Sequence, residues 1–157
     1  SFGISLAFFD RGEVFRSVPL ASSSASGLEV ALVGELLATQ ARARGVAAIL
    51  VDAAVRDVEE LRELGLPIWA RHVRVRGAEK QVPGVIGEPV EVAGATIRQG
   101  DVVVLDADGA VVVARERAEE VLTAARERAE RERVKRGQLE QGALSYDLDG
   151  LRALVER

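Results

Sequence analysis

Cysteine is absent from the 157-residue chain, which excludes disulfides, thiolate nucleophiles and metal sites built on sulfur. His72 is the only histidine, so a centre built on several imidazoles is excluded too, and any metal must be a hard ion held mainly by oxygen. No stretch approaches the roughly 18 consecutive apolar residues that a membrane helix needs. Asp10, Arg11, Glu13 and Arg16 interrupt the beginning too early for a secretory signal, so a cytoplasmic protein with no membrane contact is the expectation. Methionine is missing even at position 1, which implies that translation starts upstream of Ser1. Asparagine is missing as well, and lysine occurs only at Lys80 and Lys135, a bias expected of a GC-rich genome. A formal net charge of -4 supplies no general attraction for nucleic acid.

What is present fits one folded domain with a sizeable core: 48% of residues are hydrophobic and 29% charged. The stretch Val51 to Glu60 draws attention first. It closes the β-branched apolar run Val46 to Val51, a candidate buried strand, and opens a polar segment, Arg56 to Glu63, that reads as the first turns of a helix. A cation beside a carboxylate at the C-terminal edge of a strand is where α/β proteins commonly keep their chemistry. On position alone, Arg56 and Asp57 read first as a solvated pair capping a helix.

Before this stretch, Ile4 to Phe9 and Val14 to Val18 suggest strands of a hairpin around Asp10-Arg11-Gly12, and Ala21 to Gly27, with its serines, reads as a loop. From Glu29 to Gly45 the spacing of Ala31, Leu32, Leu36 and Ala43 predicts a helix ending at Gly45. Its starting point is left open. A start at Glu29 uses up the amides of Glu35, Leu36 and Leu37 in internal bonds, whereas a start at Gly34 leaves them free to face an anion.

After the central strand, a helix to about Leu64 ends at Gly65, Leu66 to Ala70 reads as a strand, and Arg71 to Gly87 as a basic loop that includes His72. Short strands follow at Val90 to Val92, Ala95 to Ile97, Val102 to Leu105 and Ala110 to Val113. Asp106 and Asp108 read as a turn, because the rest of a calcium loop is missing. Arg115 to Arg136 predicts an amphipathic helix with Ala118, Val121, Leu122, Ala125 and Ala129 on one stripe, ended by Gly137, with a short helix over Leu148 to Val155 beyond.

Several motifs resemble, in order, the RraA-like family of ribonuclease-activity regulators and 4-hydroxy-4-methyl-2-oxoglutarate aldolases. They are Gly34-Glu35-Leu36-Leu37-Ala38-Thr39, Arg44-Gly45, Asp52-Ala53-Ala54-Val55-Arg56-Asp57-Val58-Glu59-Glu60-Leu61 and Leu66-Pro67-Ile68-Trp69-Ala70-Arg71. Pro89-Val90, Val92-Ala93-Gly94, Gly100-Asp101 and Asp106 to Val113 continue the likeness, as does Gly142 to Leu151. The resemblance covers residues 29 to 157 and leaves out 1 to 28. Ala53 and His72 stand where the family commonly has glycine.

The resemblance implies one RraA-like domain over 1 to 157, an α/β fold of the swivelling β/β/α type with mixed sheets flanked by helices and a C-terminal amphipathic helix. It implies a class II pyruvate aldolase dependent on Mg2+ or Mn2+, cleaving 4-hydroxy-4-methyl-2-oxoglutarate or related acids to pyruvate through a metal-stabilised enolate, with oxaloacetate decarboxylase activity beside it. Asp57 would hold the metal largely through waters. Arg56 would bind the keto oxygen, the amides of Gly34, Glu35, Leu36 and Leu37 would receive the substrate carboxylate, and the Glu35 side chain would lie near the metal's waters. The implied partners are a small 2-oxo acid and further copies of the chain in a homotrimer or hexamer. The alternative within the family is a non-catalytic oligomer that binds a ribonuclease.

Overall fold

The computed structural model describes residues 4–10, 14–20, 30–78 and 88–155. The serine-rich loop Ala21 to Gly27 lies outside them, as do Arg11 and Gly12 of the expected turn. The chain divides into two units, Ser1–Arg115 and Glu116–Arg157.

In the first unit, β1 (Ile4–Asp10) and β2 (Val14–Leu20) form the expected antiparallel hairpin. Then come β3 (Ala31–Val33), α1 (Glu35–Ala43), β4 (Val46–Val55), α2 (Val58–Leu64) and β5 (Ile68–Val73). Ile49 to Val51 have partners in both β1 and β5, and Ala54 and Val55 in both β3 and β5. So β1 and β3 share one edge of β4 and β5 takes the other. The β3 and β5 pairings are parallel, which requires crossovers, and α1 and α2 supply them.

Because successive side chains of a strand point to opposite faces, β4 serves two cores. Ile49, Val51, Ala53 and Val55 join Val33, Ala38, Ala41, Leu61 and Leu66 under the helices, while Leu50 packs with Val90, Val92 and Ile97 on the reverse face. Burial on both faces is why β4 reads as a nearly continuous apolar run.

The hairpins β6 (Val90–Val92) with β7 (Ala95–Ile97) and β8 (Val102–Leu105) with β9 (Ala110–Val113) form on the spans that their sequence predicts. Asp106 Oδ1 accepts the amides of Asp108 (2.9 Å) and Gly109 (3.1 Å), so this acidic pair makes a turn. Asp101, the buried carboxylate among the described residues, accepts the amides of Arg98 (2.8 Å) and Arg115 (3.3 Å).

Several local expectations need correction. Residues 31–33 are strand and not helix, because Ala31 and Val33 gain burial by pairing with the end of β4. The central strand runs on to Val55, and α2 starts at Val58 because Asp57 is left-handed at φ 59° and ends the strand. His72 lies within β5 opposite Ala54, since parallel pairing with β4 carries that strand through Val73 into the expected loop. Gly137 lies inside a helix.

That helix, α3 (Ala118–Glu140), makes up most of the second unit and follows a 3-10 turn at Arg115–Arg117. It ends where Gly142 adopts φ 95°, with Gly142 N bonded to Leu139 O (2.9 Å) and Ala143 N to Gln138 O (3.0 Å), a Schellman stop that Gly137 has no geometry to make. Charged pairs one turn apart line it, Arg128 with Glu132 at 2.7 Å and Glu127 with Arg131 at 3.9 Å. No residue of α3 is buried, so the expected apolar stripe does not form a core within this unit. The expected terminal helix is two short ones, α4 (Ser145–Leu148) and α5 (Arg152–Val155), parted by Gly150 at φ 69°. Lys135 Nζ bonds both carboxylate oxygens of Asp149 (2.6 and 2.7 Å) and, with the Ser145 hydroxyl, holds that carboxyl below the ordinary aspartate range.

Ile49 is 0% exposed and Val75 92% exposed. Ile49→Ala should therefore lower the unfolding free energy by about 2–5 kcal/mol and Val75→Ala by less than about 0.5 kcal/mol, read from urea denaturation.

Candidate functional site

The C-terminal end of β4 carries Arg56 and Asp57, and the N-terminus of α1 opens against them. Two hydrogen bonds fix this arrangement. Arg56 N donates to Val33 O (2.9 Å), tying the end of β4 to the end of β3. Glu35 N donates to Asp57 Oδ2 (3.0 Å), so the first amide of α1 is capped by a carboxylate 22 residues away. Gly34, the N-cap residue, has no side chain to do this.

Of the two starts left open by the sequence, α1 takes the later one. Its first internal bond runs from Ala38 N to Gly34 O (3.1 Å). Leu36 and Leu37 belong to the first turn, whose amides have no intrahelical acceptor, and the helix dipole makes this end attractive to negative charge. Asp57 already occupies the Glu35 amide. Leu36 is 78% exposed, so the first turn is open to solvent.

Gly34 is required by close approach, since its backbone is extended. A Cβ placed there would lie 2.5 Å from Asp57 Oδ2 and 2.8 Å from Arg56 Nε. Arg56 Nε in turn lies 3.5 Å from Asp57 Oδ2, with the two side chains 46% and 37% exposed. The structure thus brings together Gly34, Glu35, Leu36, Leu37, Arg56 and Asp57, the residues singled out in the sequence. The Glu35 carboxylate accepts the Thr39 hydroxyl (2.9 Å) one turn along the helix.

Asp57 holds φ 59° and ψ 46°, a conformation that non-glycine residues seldom adopt and that aspartate tolerates better than most. Such strain persists where surrounding contacts enforce it, commonly at functional positions. Here the Glu35 amide and the bond from Leu61 N to Asp57 O (2.9 Å) enforce it from both sides.

No group of three or more acidic or histidine side chains that could enclose a metal occurs among the described residues. A mostly hydrated hard cation needs less. Asp57 Oδ1 receives no hydrogen bond among the described residues and is carried by a partly exposed side chain, which fits one carboxylate ligand completed by waters.

Gly77 carries no role legible in the sequence, yet its absent side chain leaves space beside the Arg56 guanidinium; a Cβ there would lie 3.3 Å from Arg56 Nη1. The sole signal is a glycine inside a basic stretch. Elsewhere in this unit a largely apolar groove of about 680 Å³ lies along α2 and β5, lined by Val58, Leu61, Pro67 and Ile68 among others and by neither Gly34, Arg56 nor Asp57. Among the described residues its walls carry no carboxylate, and Arg62, Arg71 and His72 supply its polar side.

A family model described as RraA-like, Aldolase/RraA, matches residues 17–112. The chain is 30% identical over 127 residues to a Halalkalibacterium halodurans protein named "Putative 4-hydroxy-4-methyl-2-oxoglutarate aldolase", the match covering 81% of this chain and 58% of that one. It is 32% identical to Streptomyces coelicolor RraAS2, described as an unusual member of the RNase ES inhibitor RraA protein family, with a TM-score of 0.64 over 75% of this chain and 59% of that one. It is 33% identical to the RNA-processing inhibitor RraA of Thermus thermophilis, with a TM-score of 0.52 over 55% and 53% of the two chains. The chain spans little more than half the length of these proteins. The family match begins at residue 17, inside the stretch 1–28 left out of the sequence resemblance.

The cap and the charge of Asp57 separate by mutation. Asp57→Asn keeps an acceptor for Glu35 N and tolerates the left-handed backbone, so its stability should stay within about 0.5 kcal/mol of the parent. Asp57→Ala should lose about 1–2 kcal/mol in urea unfolding.

Proposed function

Because the chain belongs to the RraA-like family, we propose that it works as a divalent-metal-dependent aldolase, a lyase that releases pyruvate from 4-hydroxy-4-methyl-2-oxoglutarate or a related 4-hydroxy-2-oxo acid. The supporting observation is the convergence of Arg56 and Asp57 on the N-terminus of α1, where a guanidinium, a carboxylate and unspent amides lie within one small site.

In the cleavage the C4 hydroxyl gives its proton to solvent water and becomes the carbonyl of the second product as the C3–C4 bond breaks. The electron pair settles on the C2 oxygen as an enolate, which then takes a proton at C3. The Arg56 guanidinium holds that oxygen, and its attraction grows as the negative charge develops, which is the condition for lowering the barrier. The amides at the start of α1 bind the C1 carboxylate. With Glu35 N given to Asp57, those of Leu36 and Leu37 are the main donors, with Gly34 beside them. A magnesium or manganese ion, held by Asp57 Oδ1 and waters, would draw electron density from the keto oxygen. The Glu35 carboxylate, which accepts the Thr39 hydroxyl (2.9 Å), would lie near the waters of such an ion. Loss of carbon dioxide from oxaloacetate leaves the same enolate, so decarboxylation is a side activity of the same groups.

The whole span 1 to 157 acts in this reading as one RraA-like domain that works in the cytoplasm as a homotrimer or hexamer. No described helix is long and apolar enough to cross a membrane.

The second reading, a non-catalytic oligomer that binds a ribonuclease, is favoured by the inhibitor descriptions of the Streptomyces and Thermus proteins. Pyruvate release separates the two. With 4-hydroxy-4-methyl-2-oxoglutarate or oxaloacetate as substrate, turnover should require magnesium or manganese and fall by at least about 100-fold in both Asp57→Ala and Arg56→Ala. Turnover that is independent of metal, or an Asp57→Ala variant as active as the parent, would overturn the aldolase reading.

A further inference from the structure

The chain that follows β5 crosses the end of β4. Arg74 N donates to Val55 O (2.9 Å) on the β5 side. By Gly77 the chain is bridged in parallel to Ala31 of β3, on the opposite edge, with Ala31 N donating to Arg76 O (2.7 Å) and Ala78 N to Ala31 O (3.0 Å). Since β3 and β5 flank β4 on opposite edges, residues 74–78 form a strap over the strand end that carries Arg56.

The Arg56 side chain runs between two positions that lack a Cβ. At Gly34 a Cβ would meet Arg56 Nε at 2.8 Å and Cγ at 3.0 Å. At Gly77 it would meet Nη1 at 3.3 Å and Cζ at 3.6 Å. The first glycine thus bounds the stem of the arginine and the second its guanidinium tip. Gly77 is not among the glycines with positive φ, so a side chain there meets only a steric demand. What it meets is the movable end of an arginine, so the guanidinium yields before the backbone does.

We infer that Gly77 is a positioning residue, and that the strap it belongs to sets where the Arg56 guanidinium points. This rests on the reading of Arg56 as the group that holds the keto oxygen. A guanidinium aimed at developing charge loses effect steeply when it is displaced, because stabilisation depends on preorganised geometry. Gly77 touches no substrate in this account and acts wholly through Arg56.

The test uses Gly77→Ala and Gly77→Val in the full chain, with Val75→Ala as a control on the same strap at a side chain that is 92% exposed. The first readout needs no activity: the Nε–Hε NMR signal of Arg56, identified by its loss in Arg56→Lys. It should shift in Gly77→Ala, shift further in Gly77→Val and stay in place in Val75→Ala, with melting temperatures of Gly77→Ala and the parent within about 2 °C. The second readout is kinetic: kcat should fall about threefold in Gly77→Ala and about tenfold in Gly77→Val while KM stays within about twofold. An unmoved Arg56 signal in Gly77→Ala overturns the inference, as does a moved signal with kcat unchanged in an active parent. If the parent releases no pyruvate while the signal shifts as stated, Gly77 keeps its positioning role and the aldolase reading fails by itself. Should Gly77→Val not fold, Gly77→Ala carries both readouts.

Discussion

The hydrogen bond from Glu35 N to Asp57 Oδ2 is the contact on which the site depends. It joins the starts of two helices that follow different strands. One end is the first amide of α1, after β3; the other is the side chain that precedes α2, after β4. Without it, the open end of α1 has no side-chain acceptor from its own N-cap, because Gly34 cannot supply one. Gly34 is glycine for the same reason, since any Cβ there would enter the space used by Asp57 and Arg56. The left-handed backbone of Asp57 turns the carboxylate back toward α1, and Leu61 N and Glu35 N hold it there.

This arrangement has a chemical consequence. One carboxylate oxygen is engaged by a backbone amide and the other receives no bond among the described residues, so Asp57 combines a structural cap with a free hard donor. The neighbouring amides of Leu36 and Leu37 and the Arg56 guanidinium are positive, while Asp57 and Glu35 are negative. A substrate with a carboxylate beside a keto group matches the positive groups, and a divalent cation matches the negative ones. The two ligands would reinforce each other, each offsetting the repulsion that the other meets.

Much of this was legible in the sequence. The hairpins from Val90 to Val113 followed their alternating pattern and turn residues, because each is held by pairing with its immediate neighbour. Arg56 and Asp57 stood out through their place after an apolar run. The start of α1 was undecided because helical spacing continues back through Ala31 and Leu32. Pairing with β4 decides it, and that partner lies more than 20 residues away. The strand character of Arg71, His72 and Val73 was hidden for the same reason, since it comes from β4. Gly137 looked like a helix stop because glycine often is one, but Gly142 has the left-handed geometry that ends α3. Gly77 was invisible because its significance lies in what its missing side chain leaves open to a residue on another strand.

The central claim is that the first turn of α1, Arg56 and Asp57 form one site for a 2-oxo carboxylate and a hard cation. The most direct measurement is a titration of the 15N-labelled protein with oxalate, a mimic of the pyruvate enolate, in the presence and absence of magnesium, followed by NMR. The amide signals of Leu36 and Leu37 should move downfield in proportion to binding, magnesium should tighten the binding by about tenfold or more, and Asp57→Asn should remove the magnesium effect. Oxalate that binds with these two signals unmoved, or with the same affinity in the presence and absence of magnesium, would contradict the central claim.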